Sequence, residues 1–369
     1  MKIPFYSLEH IHKSIRNEMQ NAFNEVYDSN WFILGNAVEK FEQEYAAFTG
    51  VKYCAGVSNC LDGLALALRT LNIGEGDEVI VPSNTYIATV LAVSQVGATP
   101  IFSEPNIQTY NIEASNIEEK VSPKTKAIMP VHLYGQSCRM DEIMQLAEKN
   151  NLYVIEDNAQ SHGSSCKEKL TGSWGHINAT SFYPGKNLGA LGDAGAITTN
   201  NEEWIKKIKM LRNYGSSKKY YNEETGYNMR LDELHAAFLS VKLKHLTVWN
   251  TERQRLAALY KLLLKDVEEV ILPVTDEICT HVYHLFIIRT KQRDELQQYL
   301  QAHQIGTLIH YPLPPHLQKA YSCLGYKKND FPIAEELADT MLSLPLYPGM
   351  IEEQVHEVCD AIKKFFRKI

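Results

Sequence analysis

From about residue 50 onward, short β-branched runs alternate with amphipathic segments, and no other feature of the chain restricts its fold as much. Residues 52–57, 78–81 and 99–103 read as strands, with helices expected at 62–71 and 87–96 between them. A strand at 127–131, a helix at 140–150 and a strand at 152–155 continue the pattern. Strand, helix and strand in this rhythm predict an α/β fold whose mostly parallel sheet is sandwiched by helices. Residues 178–183 and 194–199 are expected to be two further strands, separated only by a glycine-rich loop.

Beyond them, Leu231, Leu234, Phe238, Val241, Leu256, Leu259 and Leu263 fall at helical spacing, which predicts one long or bent helix over 230–265. Strands are expected at 282–289 and 306–310, and helices at 293–303 and 352–366. A chain of 369 residues exceeds what one hydrophobic core organises, so a large unit at 1–245 and a smaller one at 246–369 are expected.

Composition narrows the function. The 37 basic and 44 acidic side chains give a net charge of −7 without a long single-sign run, which argues against a nucleic-acid binder. Cysteines 54, 60, 138, 166, 279, 323 and 359 form no C-x-x-C pair and are odd in number, as free thiols in a reducing compartment would be. The start, Met1-Lys2-Ile3-Pro4-Phe5-Tyr6, has no signal-peptide apolar region, and no 18-residue apolar run occurs, so no membrane association and a cytoplasmic location are expected. The sequon Asn178-Ala179-Thr180 then falls by coincidence inside a strand.

Two segments carry chemistry. In Ser181 to Gly195, Lys186 sits among four glycines and two alanines, which let backbone and a flat ligand approach closely. A lysine becomes a Schiff-base nucleophile when desolvation lowers its pKa; the competing reading is a flexible connector with a solvated lysine. Upstream, the apolar run from Leu152 ends in Glu156-Asp157-Asn158-Ala159-Gln160. Acids at the carboxyl end of a parallel strand lie where α/β sheets bind ligands, and either Glu156 or Asp157 suits a pyridinium nitrogen. Asp157 also has the competing role of a helix N-cap.

These segments, with Ile33-Leu34-Gly35, Val81-Pro82-Ser83-Asn84-Thr85-Tyr86-Ile87-Ala88-Thr89 and Gly226-Tyr227-Asn228-Met229-Arg230-Leu231-Asp232, resemble in order and spacing the DegT/DnrJ/EryC1/StrS sugar-nucleotide aminotransferases. The resemblance covers nearly the whole chain. It implies the type I aminotransferase fold with a smaller C-terminal α/β domain, and pyridoxal 5'-phosphate as cofactor, with pyridoxamine phosphate as intermediate. By the same resemblance Lys186 links to the cofactor and acts as acid and base, Asp157 pairs with the ring nitrogen, and Gln160 sits beside the ring hydroxyl. Tyr86 is the ring platform, Ser181 and the Leu61 and Asp62 amides meet the phosphate, and Asn228 reaches it from the neighbouring subunit of a homodimer with shared sites.

Leu61-Asp62 and Pro184-Gly185 resemble the branch acting on dTDP-linked 3-keto-6-deoxyhexoses, with L-glutamate as amino donor. Cys60, where that branch usually has glycine, is a departure expected to constrain the turn. Tyr183, Tyr221, His310 and Tyr311 match hexose-facing positions, and Lys219 or Arg212 matches a diphosphate contact. The alternatives are a UDP-linked 3-keto or a 4-keto sugar substrate, a dehydratase (against which Lys186 argues, histidine replacing it there), and a non-catalytic homologue. The product's C-4 configuration stays open.

Overall fold

The computed structural model describes residues 2–367, so Met1 of the amino-terminal segment and residues 368 and 369 of the expected smaller unit lie outside the described residues. Seven strands build the central sheet: β1 (Tyr53–Val57), β2 (Glu78–Pro82), β3 (Thr99–Ser103), β4 (Thr125–Ile128), β5 (Tyr153–Asp157), β6 (Ile177–Ser181) and β7 (Gly195–Thr199). Their spatial order is β1-β7-β6-β5-β4-β2-β3. Only β7 runs against the rest, pairing antiparallel with β1 and β6, while the other neighbouring pairs are parallel. The connection between β6 and β7 contains no helix that could carry the chain across a face of the sheet, and the chain returns antiparallel beside β6.

Side-chain alternation places one core on each face of the sheet. Val79, Val81, Ala127 and Ile155 join Leu64, Leu66 and Leu68 of a helix over Cys60–Thr70 in one cluster. Ile80, Ile128 and Val154 join Ile143 and Leu146 of a helix over Met140–Lys149 in another. β2, β4 and β5 are thus apolar on both sides, as a sheet sandwiched by helices requires. The carboxyl ends of β5 and β6 consequently open onto one edge, with Asp157 and Ser181 as their last residues.

The helix expected over 230–265 is two: α1 (Glu233–Leu243) and α2 (Leu246–Leu264). Residues 230–232 are not helical, because Leu231 packs over Gly56 of β1 and Asp232 bridges Ile33. The break at Lys244 and His245 lets Phe238 and Val241 of α1 pack with Ile11, Ile15 and Ala22, while Leu256, Tyr260 and Leu264 of α2 enter a separate core. That core collects a two-stranded antiparallel sheet, β8 (Phe286–Arg289) with β9 (Met341–Leu344), and the helix over Glu352–Arg367. The strand expected over 306–310 reduces to one bridge, Leu308 to Ser343, after which His310 and Tyr311 turn toward the large sheet. Among the described residues no helix is long and apolar enough to cross a membrane.

The buried carboxylate of Glu233 opens α1 and also closes the start of the helix over Asn36–Thr49, accepting the amides of Gly35, Ala37 and Val38 at 2.7, 2.9 and 3.0 Å. It serves three of the donors a helix start leaves unpaired. Glu233→Ala is expected to cost about 2–3 kcal/mol, more than the roughly 1 kcal/mol of a single-bond cap. A urea midpoint unchanged from the unmodified protein would count against this role.

Candidate active site

Asp157 forms the floor of the site. Its backbone N–H donates to Pro130 O at 2.9 Å, holding the strand end beside the β4 extension. Its Oδ2 accepts the Thr89 hydroxyl at 2.8 Å and its Oδ1 the Ala159 amide at 3.1 Å, with Cys60 Sγ at 3.6 Å. Thr89 lies in the first turn of the helix over Ile87–Gln95, and its hydroxyl is 2.9 Å from that of Thr85, four residues earlier and just ahead of the helix. Glu156, the other candidate, points to the opposite face. It is fully buried, accepts the amides of Gly172, Trp174 and Gly175, and meets His132 Nε2 at 2.8 Å. Cys138 N–H donates to His132 Nδ1 at 3.1 Å, which fixes the tautomer with the proton toward Glu156. Glu156 is a structural carboxylate, and Asp157 alone faces the opening.

Lys186 lies in the loop joining β6 to β7. Its amide donates to Tyr183 O at 2.8 Å and the Ala190 amide to Phe182 O at 2.7 Å, so the loop closes on itself. The close approach fixes the need for glycine at 189: a Cβ there would lie 2.4 Å from Pro184 O. Burial holds the Lys186 ammonium below the ordinary lysine range, opposed by the nearby Asp157 and then Cys60. The same charge reaches three imidazoles. Burial first, and Lys186 second, push His162 down to about 3, His310 down to about 4 and His284 well below its ordinary value.

Opposite the lysine loop, Gln160 Nε2 donates to Tyr311 OH at 3.1 Å, and Gln160 Oε1 accepts the Tyr134 amide at 2.7 Å. Burial pushes the Tyr311 phenol up, and its ring lies 5.1 Å from that of Tyr86, which is 53% exposed over the opening. His310 Nδ1 meets Ser343 Oγ at 2.8 Å, and His310 O accepts Tyr134 OH at 2.7 Å. Asp157, Lys186, Gln160, Tyr86, His310 and Tyr311 therefore converge. Sequence reading missed Thr89, Tyr134, His162 and His284. Helical spacing from Thr85 carried a signal for Thr89. Tyr134 carried none, because its left-handed backbone, φ 60°, is unusual for a tyrosine.

The helix over Cys60–Thr70 presents its amino end near Asp157. Asn59 caps it, accepting the Asp62 amide at 2.9 Å, while Asp62 Oδ2 accepts the Ser58 hydroxyl and Asn59 Nδ2. The Asp62 amide expected to meet a phosphate is thus already engaged, leaving the expectation on Leu61 and on half-buried Ser181, whose Oγ accepts the Tyr183 amide at 3.2 Å. Cys60 does not constrain the turn: it is a helical residue with ordinary φ, and its side chain fills space beside Asp157, where burial raises the thiol well above its usual range.

Arg212 is corrected. It is 5% exposed, donating to Glu42 at 2.6 Å and to Gly56 O at 2.6 Å, so its guanidinium braces β1 and does not face a ligand. Lys219 and Tyr221 project from an exposed hairpin, with Lys219 over Tyr220 and Lys218 over Tyr221. Asn228 is exposed and bridges Asn213 through its backbone. Among the described residues none of these three shares a hydrogen bond, ion pair or ring contact with the Lys186 cluster. Tyr183 is 58% exposed beside the loop.

Comparison with known proteins accords with this arrangement. A dTDP-3-amino-3,6-dideoxy-alpha-D-galactopyranose transaminase of Aneurinibacillus thermoaerophilus is 51% identical, covering 98% of this chain and 99% of its own. The crystal structure of S. venezuelae DesV in complex with a ketimine intermediate superposes with a TM-score of 0.97 at 44% identity, covering 98% of both chains. NtdA from Bacillus subtilis, solved with bound cofactor PMP, superposes at 0.86 with 32% identity, covering 94% of this chain and 82% of its own. Residues 13–363 match the model of one family, and the chain belongs to it: the DegT/DnrJ/EryC1/StrS aminotransferase family.

Proposed function

We propose that this aminotransferase uses pyridoxal phosphate to move the amino group of L-glutamate onto the 3-keto carbon of a dTDP-linked 3-keto-6-deoxyhexose, giving a dTDP-3-amino-3,6-dideoxyhexose. The observation that carries the chemistry is the half-buried Lys186, its amine lowered by burial beside the Asp157 carboxylate. The substrate rests on the likeness to the Aneurinibacillus transaminase. We further propose a cytoplasmic homodimer whose subunits share their sites, and a division near residue 245, which the separate core around α2, β8 and β9 supports.

The residues fit the cofactor. An amine that burial biases toward neutrality, a carboxylate held by Thr89 and Ala159, and an exposed ring above the opening are the donor set a flat, anionic pyridine aldehyde requires. Lys186 would hold it covalently, Asp157 its ring nitrogen, Gln160 its hydroxyl and Tyr86 one face. Ser181, Leu61 and the end of the helix over Cys60–Thr70 would meet its phosphate, joined by Asn228 from a second copy of the chain. Asp62 supports that end through its cap.

Bound there, pyridoxal phosphate supplies the electron sink that lets an amino acid release its α-proton. Lys186 Nζ takes that proton from glutamate's α-carbon and returns one when the keto sugar is the acceptor. Both tasks are eased by an amine held below the ordinary lysine range, the direction in which burial moves Lys186. Asp157 stays fixed by Thr89, and Tyr311 and Gln160 close the wall behind the ring. Tyr183, Tyr221, His310 and Tyr311 line the path of the hexose, and Lys219 meets its diphosphate.

The direct test is near-visible absorbance of the holoenzyme. The lysine-bound cofactor band should disappear with glutamate and return with dTDP-3-keto-6-deoxyglucose; a return only with UDP-linked or 4-keto sugars would sink the substrate assignment. Lys186→Ala should lower kcat by about 10⁴-fold or more, and Asp157→Asn by about 10²-fold with cofactor still bound. Mixing Lys186→Ala with Asn228→Ala should recover activity if sites are shared, and no recovery would count against the dimer reading.

The three imidazoles near Lys186 should be neutral where the enzyme works, so His310→Gln should leave the kcat/KM profile unchanged in shape between about pH 6 and 9. Stability has the opposite sensitivity. Depressed histidines contribute stability that is present above the ordinary value of 6.5 and lost as pH falls toward about 4 for His310, since the unfolded rings take up protons first. The acid slope of thermal unfolding should therefore be shallower in His310→Gln.

A further inference from the structure

Among the described residues Lys242 is the most deeply buried lysine, at 2% exposure, in the last turn of α1. Its Nζ donates to Gly189 O at 2.7 Å and lies 3.4 Å from His12 Nε2. Among the described residues no carboxylate pairs with it, and burial alone brings its ammonium down to about 8. An apolar side chain at this helix position would avoid the cost of desolvating an ammonium. The energetic expense therefore points to what Lys242 holds.

It holds the return of the Lys186 loop. Gly189 closes over Pro184 so tightly that no side chain fits between them, and the Lys186 and Ala190 amides tie the loop across its neck. Asn187, next to Lys186, is tied from the other helix: its Nδ2 donates to Asn250 Oδ1 at 2.9 Å and to Val282 O at 3.1 Å. α1 and α2 thus fix the loop at two points, residues 187 and 189. Among the described residues no loop amide donates to the Gly189 carbonyl, so the ammonium is its partner.

We propose that Lys242 is a positioning residue for Lys186: by gripping Gly189 O it holds the neck of the loop and so aims the Lys186 amine at the Asp157 end of the sheet. The inference rests on the reading of Lys186 given above. It makes the helix pair α1 and α2 part of the catalytic architecture, although neither helix places a side chain on a reacting atom.

The test is amide exchange of the apoenzyme, read by mass spectrometry on the peptide spanning 182–194, with holoenzyme kinetics beside it. In Lys242→Met the Lys186 and Ala190 amides should exchange at least about tenfold faster while β2 and β5 keep their protection. The holoenzyme kcat should fall by about 10–100-fold with the KM for glutamate within about twofold, the pattern of a misplaced reacting group. Lys242→Arg, which keeps a cationic donor, should recover loop protection. Exchange in the loop unchanged in Lys242→Met overturns the proposal, as does faster exchange with full kcat. If Lys242→Met does not fold, Lys242→Gln replaces it, with a donor too short to reach Gly189 O, and unchanged loop exchange there overturns the proposal equally. Failure of the Lys186 reading itself shows separately, as a wild-type protein without a cofactor-dependent band.

Discussion

A lysine and an aspartate brought together in a poorly solvated opening set the terms for everything around them. Each charged form is costly to bury alone, and their proximity offsets part of that cost. Burial holds the Lys186 ammonium below the ordinary lysine range, and the Asp157 carboxylate opposes that shift. The neighbours obey the same constraint. His162, His284 and His310 are all held neutral, which avoids stacking further positive charge against the lysine. Cys60 is held as a thiol first by burial and then by the neighbouring Asp157 carboxylate, which a thiolate would repel.

Such a pair works only if the backbone beneath it cannot drift. Asp157 is fixed by belonging to the end of β5, where the parallel sheet supplies hydrogen bonds on both sides. Lys186 has no such ladder, because its loop leaves the sheet at Ser181 and rejoins it at Gly195. Its order comes from its own neck and from α1 and α2 behind it. Sheet rigidity and helix contacts thus converge on one pair of side chains from different directions. The wall opposite is joined to the smaller core through Tyr134, which bonds Gln160 with its amide and His310 with its hydroxyl. Gly135 beside it adopts φ 108°, where a Cβ would lie 2.7 Å from His284 N. The chain can cross there only because that side chain is missing.

The parts that were legible in the sequence are those governed by local rules. Strand and helix alternation named all seven strands of the central sheet, because short strand-forming runs separated by amphipathic segments are a local pattern. Lys186 and Asp157 stood out because glycine clustering and a strand ending in acids are local patterns. What was not legible depends on contacts far apart in sequence. The break between α1 and α2 contains neither proline nor glycine; Leu246 and Trp249 just after it still share clusters with α1, and only from Leu256 onward does α2 enter the smaller core. Arg212 looked available for a phosphate until Glu42, 170 residues away, was found against it. The strand expected over 306–310 had the right residues, yet Ser343 pairs with Leu308 alone before the chain turns inward.

The choice between Glu156 and Asp157 shows why adjacent residues in a strand seldom share a task. Side-chain period two sends them to opposite faces, so one enters the interior and the other the opening. Glu156 accepts three backbone amides from the turn that leads into β6 and meets the His132 imidazole, and so shapes the strand from which the lysine loop departs. Asp157 meets a hydroxyl, one amide and a thiol, and faces the reacting lysine. The carboxylate with the richer set of partners is the structural one, and the less saturated one keeps capacity for a ligand. For a buried acid at a strand end, unspent hydrogen-bonding capacity is therefore a better mark of function than the number of contacts it makes.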